Sequence, residues 1–357
     1  MPTAQTDHPL VPAVQISVNG TPLPFEAEAH LTEVMVEEDV GLPGMFTLGL
    51  AGSDALGEET AWVDRQDLFS VGFEVEIKMG YAESLESLFV GEIIAIEPEY
   101  RFDRLPFLTV RGYDRRHRLH RSRKTRTFLK KKDSGIAGEI AGDAGLTAKA
   151  TDTKVIHDYV LQANQTDMEF LQERARRIEY EVVVENKTLF FRPVPIDKKQ
   201  AATLSFQDDL VAFYPRLSSA RPLSEVTVRG WDPKQKKEIV GKAKKGNETS
   251  KMGGKKTGPE MGQSAFGAAV GVVSDRPVMT QGESDQMALA WFNHAALAFI
   301  TGEGLCRGRT DLRGGKVIQL DGLGKRFSGL YYITTAVHQY TSRGGYETRF
   351  TVRRNAS

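Results

Sequence analysis

The sequence is poor in cysteine and has no long apolar run. Cys306 is the only cysteine among 357 residues, so an internal disulfide is excluded, and we expect a buried structural thiol. No segment approaches the ~18 apolar residues of a membrane helix. Residues 1–12 lack the basic and apolar regions of a signal peptide. We therefore expect a protein that folds in a cytoplasm, with no membrane insertion by this chain.

Basic residues are nearly missing from the first hundred positions. Arg65 and Lys78 stand there against 19 acids, whereas the remainder carries 45 bases and 28 acids. The formal net charge is zero. Such polarity suits a head-to-tail assembly in which the acidic part of one subunit meets the basic part of the next. The alternative is that both charges are solvated on the surface of one monomer.

No phosphate-binding loop is indicated. The glycines of residues 302–308 follow a predicted helix rather than precede one, so they cannot aim a helix N-terminus at a phosphate. Gly262 and Gly267 have the spacing of a P-loop. However, Ala268 and Ala269 stand where that loop needs Lys and Ser or Thr. The sequence therefore predicts no nucleotide cofactor.

Residues that could carry acid–base or metal chemistry are scattered. The seven histidines form no HExxH or HxH pair, so no zinc site is predicted, and we expect His294 and His338 to be packed or hydrogen-bonded. Asp208 and Asp209 are adjacent, which would point them to opposite faces of a strand, so a loop or cap role is predicted. We assign no catalytic, cofactor-binding or metal-binding residue and expect no enzyme. A cell-wall hydrolase stays an alternative without a positioned acid–base pair.

One short strand pattern occurs twice. Residues 108–114 read LTVRGYD and residues 226–232 read VTVRGWD, and in both the valines alternate with threonine and arginine, as in a half-buried strand. A weaker third copy, RFTVRR, lies at residues 349–354. The repeat predicts a duplicated β domain. A chance likeness between strand-favouring residues is the alternative.

The first 114 residues read as short strands separated by glycine and proline. We predict a closed barrel or a sandwich that ends near Asp114. The predicted strands are Val14–Val18, Val34–Val36, Met45–Leu50, Phe73–Met79, Phe89–Ile96 and Leu105–Val110.

A basic stretch follows at residues 115–132, with ten lysines or arginines. Three interpretations are open. The stretch is a structural or subunit-facing connector, or a lining that meets passing cargo, or a nucleic-acid-binding segment with Phe128 as a stacking ring.

Residues 133–200 change to a helical pattern and then to a hairpin. Asp133 or Ser134 is predicted to cap a helix that ends at Gly145. Thr166 and Glu169 form a capping box ahead of a second amphipathic helix. A hairpin that turns at residues 186–187 follows. We predict a small α+β module.

The second copy of the strand is predicted to open another β unit. Its helix is expected to start at Ser284 or Asp285, to bury Met287, Trp291, Ala295 and Ala298, and to end at Gly302. Strands resume at residues 316–320, 330–337 and 346–352. The Lys- and Gly-rich residues between, 241–283, are predicted to be a flexible insertion.

Four stretches resemble the bacteriophage late control protein D family, the tail baseplate hubs, and the matching part of type VI secretion spike proteins. They are FVGEIIAIEP, LTVRGYDRRHRLHRSRKTRTF, QANQTDMEFLQERARRIEYE and GEGLCRGRTDLRGGKVIQLDGLGKRFSGLYYITTAVHQY.

The resemblance implies a mainly β fold, with two tube-like antiparallel β-barrels plus an inserted α+β module of helix and hairpin. The first barrel would take residues 1–114, the connector and module 115–205, and the second barrel 206–240 with 284–357. Residues 241–283 would be the flexible insertion.

The resemblance also implies a function. Three chains would form a homotrimeric hub that joins the hexameric inner tube to the trimeric spike of a contractile tail or phage-like injection particle. Because the sequence ends at Ser357, a separate spike protein is expected, together with other baseplate proteins. The hub would be assembled in the bacterial cytoplasm and reside in the baseplate, and nucleic acid or protein cargo would pass its channel.

Overall fold

The structure is a computed structural model that describes residues 11–52, 62–82, 84–233 and 235–357. The first strands in chain order are β1 (Pro12–Val18), β2 (Thr21–Pro22), β3 (Leu31–Asp39), β4 (Met45–Ala51), β5 (Glu74–Tyr81), β6 (Ser84–Arg101), β7 (Arg104–Tyr113), β8 (Arg123–Lys131), β9 (Thr147–Ala150), β10 (His157–Thr166), β11 (Tyr180–Glu185) and β12 (Thr188–Pro193). The later strands are β13 (Ala202–Ser205), β14 (Leu210–Leu217), β15 (Glu225–Asp232), β16 (Lys237–Lys244), β17 (Val270–Val273), β18 (Ile300–Arg307), β19 (Val317–Asp321), β20 (Gly329–Thr341) and β21 (Gly345–Arg354).

Helices are few, and a 3₁₀ turn covers Arg115–His120. None of the helices in the described ranges is both long and apolar enough to span a bilayer. The helices are α1 (Phe25–Ala29), α2 (Asp133–Asp143), α3 (Asp167–Arg176), α4 (Gly258–Phe266), α5 (Gln281–Ala296) and α6 (Gly324–Phe327).

A first β unit is built from β1 to β7, in the sheet order β3-β4-β7-β6-β5-β1-β2. Every strand predicted for this region is present. The alternation in β5 places Val75, Ile77 and Met79 in the core. Ile16 of β1 and Val34 of β3 lie in the same hydrophobic cluster although their strands are far apart in the sheet, so the sheet curls around one core.

A second β unit is built from β13, β14 and β18 to β21. Its ladder order is β14-β18-β21-β20-β19-β13, and its separate core includes Leu204, Ile300, Ile333 and Val352. The mainly β prediction is confirmed.

The two units have the same strand order. If β1, β3, β4, β5, β6 and β7 are matched in chain order to β13, β14, β18, β19, β20 and β21, the ladder β3-β4-β7-β6-β5-β1 becomes the ladder of the second unit. One difference remains, because β1 pairs with β5 antiparallel and β13 pairs with β19 parallel. The chain therefore carries one topology twice.

Two ladder irregularities coincide under this match, whereas the shifts at residues 77–78 and 99–101 of the first unit have no counterpart in the second. The β3–β4 register shifts between Leu31 and Glu33, and the β14–β18 register shifts between Leu210 and Ala212. The β6–β7 register shifts at residues 93–95, and the β20–β21 register at residues 333–335. Bulges are retained features of related sheets, so they support the duplication independently of sequence.

The repeated sequence does not mark the duplication as predicted. VTVRGWD lies in β15, which belongs to a separate sheet of order β16-β15-β17 rather than to the second β unit. The strand that matches β7 is β21, which holds the weaker copy RFTVRR, and Val110 and Val352 are both fully buried. In β15, Val226 and Val228 pack under α5 instead. Valines alternating with polar residues suit any half-buried strand, which explains the false match.

The α+β module between the units has its own core, which runs from Leu119 to Phe191. The capping box of Thr166 and Glu169 is present at the start of α3, and β11 and β12 form the predicted hairpin. The predicted cap of α2 was wrong. Lys132 holds the N-cap position, and the buried Asp133 carboxylate binds Arg174 at 2.6 Å.

Residues 241–283 contain regular secondary structure and buried contacts that the prediction of a flexible insertion did not include. They contribute the end of β16, α4 and β17, and Met252 is fully buried in a small apolar cluster. The amides of Lys255 and Lys256 donate to the Ser357 carbonyl at 2.9 and 3.1 Å, and Gly258 donates to Asn355. The glycine- and lysine-rich composition gave no indication of the buried Met252 or of these hydrogen bonds.

The start and buried face of α5 also differ from the prediction. Thr280 is the N-cap, with Glu283 completing a capping box. The buried face holds Met287, Ala288, Phe292 and Ala296, whereas Trp291 is 44% exposed. Gly302 lies inside β18, so it does not end the helix.

His338 gives a testable acid sensitivity. Its ring is fully buried, with Nε2 3.0 Å from the Leu312 carbonyl and Nδ1 2.8 Å from the Tyr346 hydroxyl, and burial lowers the pKa of His338 to about 4. A base with a lowered pKa stabilises the fold above its unfolded pKa of 6.5, and this stability is lost as the pH falls toward 4.

We expect the free energy of unfolding to fall between about pH 7 and about pH 5 by about 2 kcal/mol more in the parent than in His338→Gln. Urea unfolding at both pH values measures the difference. Parallel pH profiles for the two proteins would contradict this assignment.

Candidate assembly surfaces

The two β units are joined edge to edge by a ladder between β20 and β3, which we call the seam. Seven residue pairs run antiparallel from Thr335–Asp39 to Thr341–Glu33. Side chains reinforce the ladder, since the Thr335 hydroxyl donates to Asp39 at 2.8 Å and Gln339 donates to Glu33 at 2.7 Å. The seam makes one thirteen-stranded sheet from the two units among the described strands.

One face of this sheet crosses the seam without interruption, and we call it the common face. It lies opposite the two cores and is mostly polar. One transverse row of directly paired residues is Arg307, Glu347, Gln339, Met35, Thr47 and Arg111, in which five of the six residues are polar.

The loop of residues 308–316 in the second unit docks onto the first unit. Arg313 makes a bidentate pair with Glu38 and also donates to the Leu88 carbonyl at 2.6 Å. The Tyr81 hydroxyl donates to the Gly308 carbonyl at 3.0 Å. The units are therefore held together both by the seam and by this loop.

Residues 94–101 of β6 and the strand β14 each have one edge without a ladder partner in the parts of the chain that the structure describes. Residues 94–101 of β6 pair with β7 on one side only, because β5 ends its pairing at Glu92. β14 pairs only with β18. Both segments expose large apolar side chains, since Tyr100 is 59% and Tyr214 72% exposed. Exposed sheet edges are sites for pairing with another chain.

The basic connector is bound mainly to acids of the same chain. Glu92 is 6% exposed and accepts from Arg118 Nε at 2.9 Å, with His117 Nε2 at 2.9 Å and Arg115 Nε at 3.3 Å. Burial opposes ionisation of Glu92, but the hydrogen bonds from Arg118 and His117 hold its pKa below the ordinary value. Sequence reasoning missed Glu92. The excess of acids before position 100 and of bases after it was the available signal.

The later connector residues, from Arg123 on, contact acids of the α+β module. Lys124 and Arg126 bind Asp167 at 2.6 and 2.7 Å, and Arg123 binds Glu169 at 2.9 Å. Phe128 is 2% exposed and stacks on Phe170, so it cannot stack on a base. The structural interpretation fits these contacts, and Phe128 is not available as the stacking ring that the nucleic-acid interpretation needs.

The α+β module meets α5 through a buried charged cluster. The His157 ring lies 2.6 Å from Glu283 and 3.2 Å from Asp133. Burial works against the charged ring, but the hydrogen bonds to Asp133 and Glu283 outweigh it and raise the pKa of His157. The cluster couples the α+β module to α5.

The other residues considered from sequence lie apart. Cys306 is fully buried, and burial raises the pKa of its thiol to about 12. Asp209 accepts from the Ser205 amide at 2.9 Å in the turn before β14, which is the predicted loop role. His338 is buried and hydrogen-bonded as expected, whereas His294 is exposed on α5. In the described ranges no three His, Cys, Asp or Glu side chains are grouped so that they could hold a metal ion.

The profile of one protein family matches residues 9–342, nearly the whole chain. That family is the Alg8 N-terminal domain. The chain belongs to the Alg8 N-terminal domain family. No protein of curated function matches the sequence.

Solved phage tail proteins share the fold of this Alg8 N-terminal domain family member. The 43 kDa tail protein of prophage MuSo2 from Shewanella oneidensis is 12% identical, with a TM-score of 0.72, and the match covers 96% of this chain and 98% of that chain. A tail protein from Neisseria meningitidis MC58 is also 12% identical, with a TM-score of 0.70 over 96% and 97% of the two chains.

A type VI secretion component is similar as well. The E. coli c3393 protein, which has structural similarity to the T4 tail proteins gp27 and gp5, is 11% identical with a TM-score of 0.59. The match covers 96% of this chain and 77% of that one. The fold is that of phage tail proteins, and membership of the late control protein D family stays a prediction.

Glu92 supports a mutational prediction. In Glu92→Gln the buried Arg115 keeps its pair with Glu74 but loses one of its two carboxylate partners, and loss of a hydrogen bond to a charged group destabilises by about 1.5–3 kcal/mol. The control is Glu76→Gln, because Glu76 pairs with Lys78 at 4.0 Å on a partly exposed surface. We expect the control to change the free energy of unfolding by less than about 0.5 kcal/mol. Urea unfolding compares the two, and equal effects would argue against a structural role for the connector.

Proposed function

We propose that this protein is the structural baseplate hub of a contractile tail or phage-like injection particle, a homotrimer that adapts a hexameric inner tube to a trimeric spike. The observation that carries the proposal is the duplicated strand order, with both copies fused through the seam into one sheet. Three such chains would present six similar β units.

The segment inserted between matching strands of the second unit would give the trimer its threefold surface. In the second unit, β14 and β18 are separated by residues 218–299, which include β15 to β17, α4 and α5. In the first unit, the matching strands β3 and β4 are separated only by residues 40–44. A body that occurs once per chain is repeated three times in a trimer, whereas the β units are repeated six times. This difference supports contacts with partners of both symmetries.

The common face would line the channel. If the sheets of three chains close into a ring, one face must turn to the axis. The opposite face carries the two cores and the strands folded over them, which need the greater radius. A mostly polar lining suits the passage of hydrated nucleic acid or protein cargo.

The partners would be the inner tube protein, a separate spike protein and other baseplate proteins. The fold shared with phage tail proteins and with a type VI secretion component supports such a setting, as does the resemblance to the late control protein D family. The protein would be assembled in the bacterial cytoplasm and reside in the baseplate. Its charge polarity is partly neutralised within the chain, so the remaining exposed charges would act between subunits.

The trimer is testable by mass. Three chains of 39.6 kDa give a particle of about 119 kDa. We expect this species in sedimentation velocity at micromolar concentration, alone or after addition of the tube or spike protein. A monomer under all three conditions would contradict the proposal.

We also propose that the protein is not an enzyme. The buried titratable residues Glu92, His157 and His338 bind other side chains or backbone in the interior. We expect purified protein to leave peptidoglycan intact in a turbidity assay that a lysozyme control clears. Clearing that survives removal of contaminating hydrolases would favour a tail-tip hydrolase instead.

A further inference from the structure

The seam uses one edge of each β unit and leaves a second edge of each unit free. The duplicated topology indicates which strands should pair at these free edges. Inside the chain, the end of β20 in the second unit pairs with β3 of the first. The matching strands are β6 in the first unit and β14 in the second. Each of these two strands has an unpaired edge in the described parts of the chain. We propose that residues 94–101 of β6 pair antiparallel with β14 of a second copy and so repeat the seam between subunits. This inference rests on the proposed trimer.

The bulges fix the register of this second seam. Aligning the shift at residues 93–95 with that at residues 333–335 matches Ala95 to Thr335. Aligning the shift at residues 31–33 with that at residues 210–212 matches Asp39 to Ser218. Because Thr335 pairs with Asp39 in the seam, Ala95 is placed opposite Ser218.

The whole ladder follows by antiparallel counting. The pairs, each given with the residue of the second copy last, are Ala95–Ser218, Ile96–Leu217, Glu97–Arg216, Pro98–Pro215, Glu99–Tyr214, Tyr100–Phe213 and Arg101–Ala212.

The side chains in this register are complementary. Glu97 and Arg216 bring opposite charges directly across the ladder, and both are exposed in the single chain. Glu97 already binds Arg111 of its own chain at 3.1 Å, so its carboxylate would be shared between two guanidinium groups. Tyr100, 59% exposed, would cover Phe213, which packs on the second core. Opposite-charge and aromatic pairs are favourable across antiparallel strands.

In this register Pro98 of one copy lies opposite Pro215 of the second copy. The Ser218 amide donates to Phe299 on the β18 side, and backbone direction alternates along a strand, so the nitrogen of Pro215 faces the free edge. Proline at such an edge discourages pairing with unrelated strands. Opposite Pro98 it meets another residue without an N–H, so no donor is left unpaired there. The ladder bonds would come from Ile96–Leu217 and Tyr100–Phe213.

A cysteine pair tests the register. In a chain with Glu97→Cys and Arg216→Cys, the two thiols would lie across a non-hydrogen-bonded pair, where Cα atoms are about 4.5 Å apart and a disulfide can form. We expect a covalent three-chain product on a non-reducing gel. In the control, Glu97→Cys with Ala212→Cys, the thiols would be about 13 Å apart along the strand and should not join.

The outcomes separate this inference from the proposed function. A trimer by sedimentation that gives no product with Glu97→Cys and Arg216→Cys would overturn the second seam and leave the hub proposal standing. Equal cross-linking of the test and control pairs would overturn the register. A chain that stays monomeric with its partners would overturn both proposals.

A charge exchange gives an independent test. We expect Glu97→Arg and Arg216→Glu each to raise the dissociation constant of the trimer roughly tenfold, because like charges then face each other. The double variant should restore association, since the pair is re-formed with its signs exchanged. Both side chains are exposed, so the thermal unfolding of each chain should change little, which circular dichroism checks. A double variant no better than the single ones would refute the pairing.

Discussion

Pairing of sheet edges is the constraint on which the rest of this structure depends. A curled sheet of six or seven strands leaves backbone donors and acceptors at its ends, and these must be paired, covered or protected. The chain pairs β3, the end strand of the first unit, with residues 335–341 of β20 in the second unit, beyond the part of β20 that pairs with β19. The two cores thereby acquire a fixed relation, which independent domains on a linker would lack. A function based on rotational symmetry needs such a fixed relation.

Ion pairs then hold the inserted segments against this joined sheet. Residues of the basic connector reach back to Glu92 and Asp114 in the first unit and forward to Asp167 in the module. Arg313 makes the corresponding contact between the second unit and Glu38. Most of these pairs are wholly or partly buried, so removing one partner would leave a desolvated charge. Part of the charge separation along the sequence is therefore used in contacts within the chain.

Local patterns predicted local structure well. Period-2 alternation located the strands of the first unit, and the Thr166 capping box and the hairpin at residues 186–187 are present. Longer-range features were not predicted from the sequence. The seam joins residues about 300 positions apart, and no short pattern specifies that pairing. The contacts of residues 241–283 involve buried Met252 and a few backbone hydrogen bonds to residues 355–357, which composition does not indicate.

The coincident bulges have a consequence for ancestry. Deleting the extra residue of a bulge turns every later side chain of that strand to the opposite side, so a functioning core resists its loss far more than it resists exchange of one apolar residue for another. The sequences of the two β units have diverged so far that the better copy of the repeat, VTVRGWD, lies in β15, outside the second unit. The register shifts at residues 31–33 and 210–212 nevertheless still correspond. Irregularities in hydrogen bonding are thus the more durable record of an internal gene duplication.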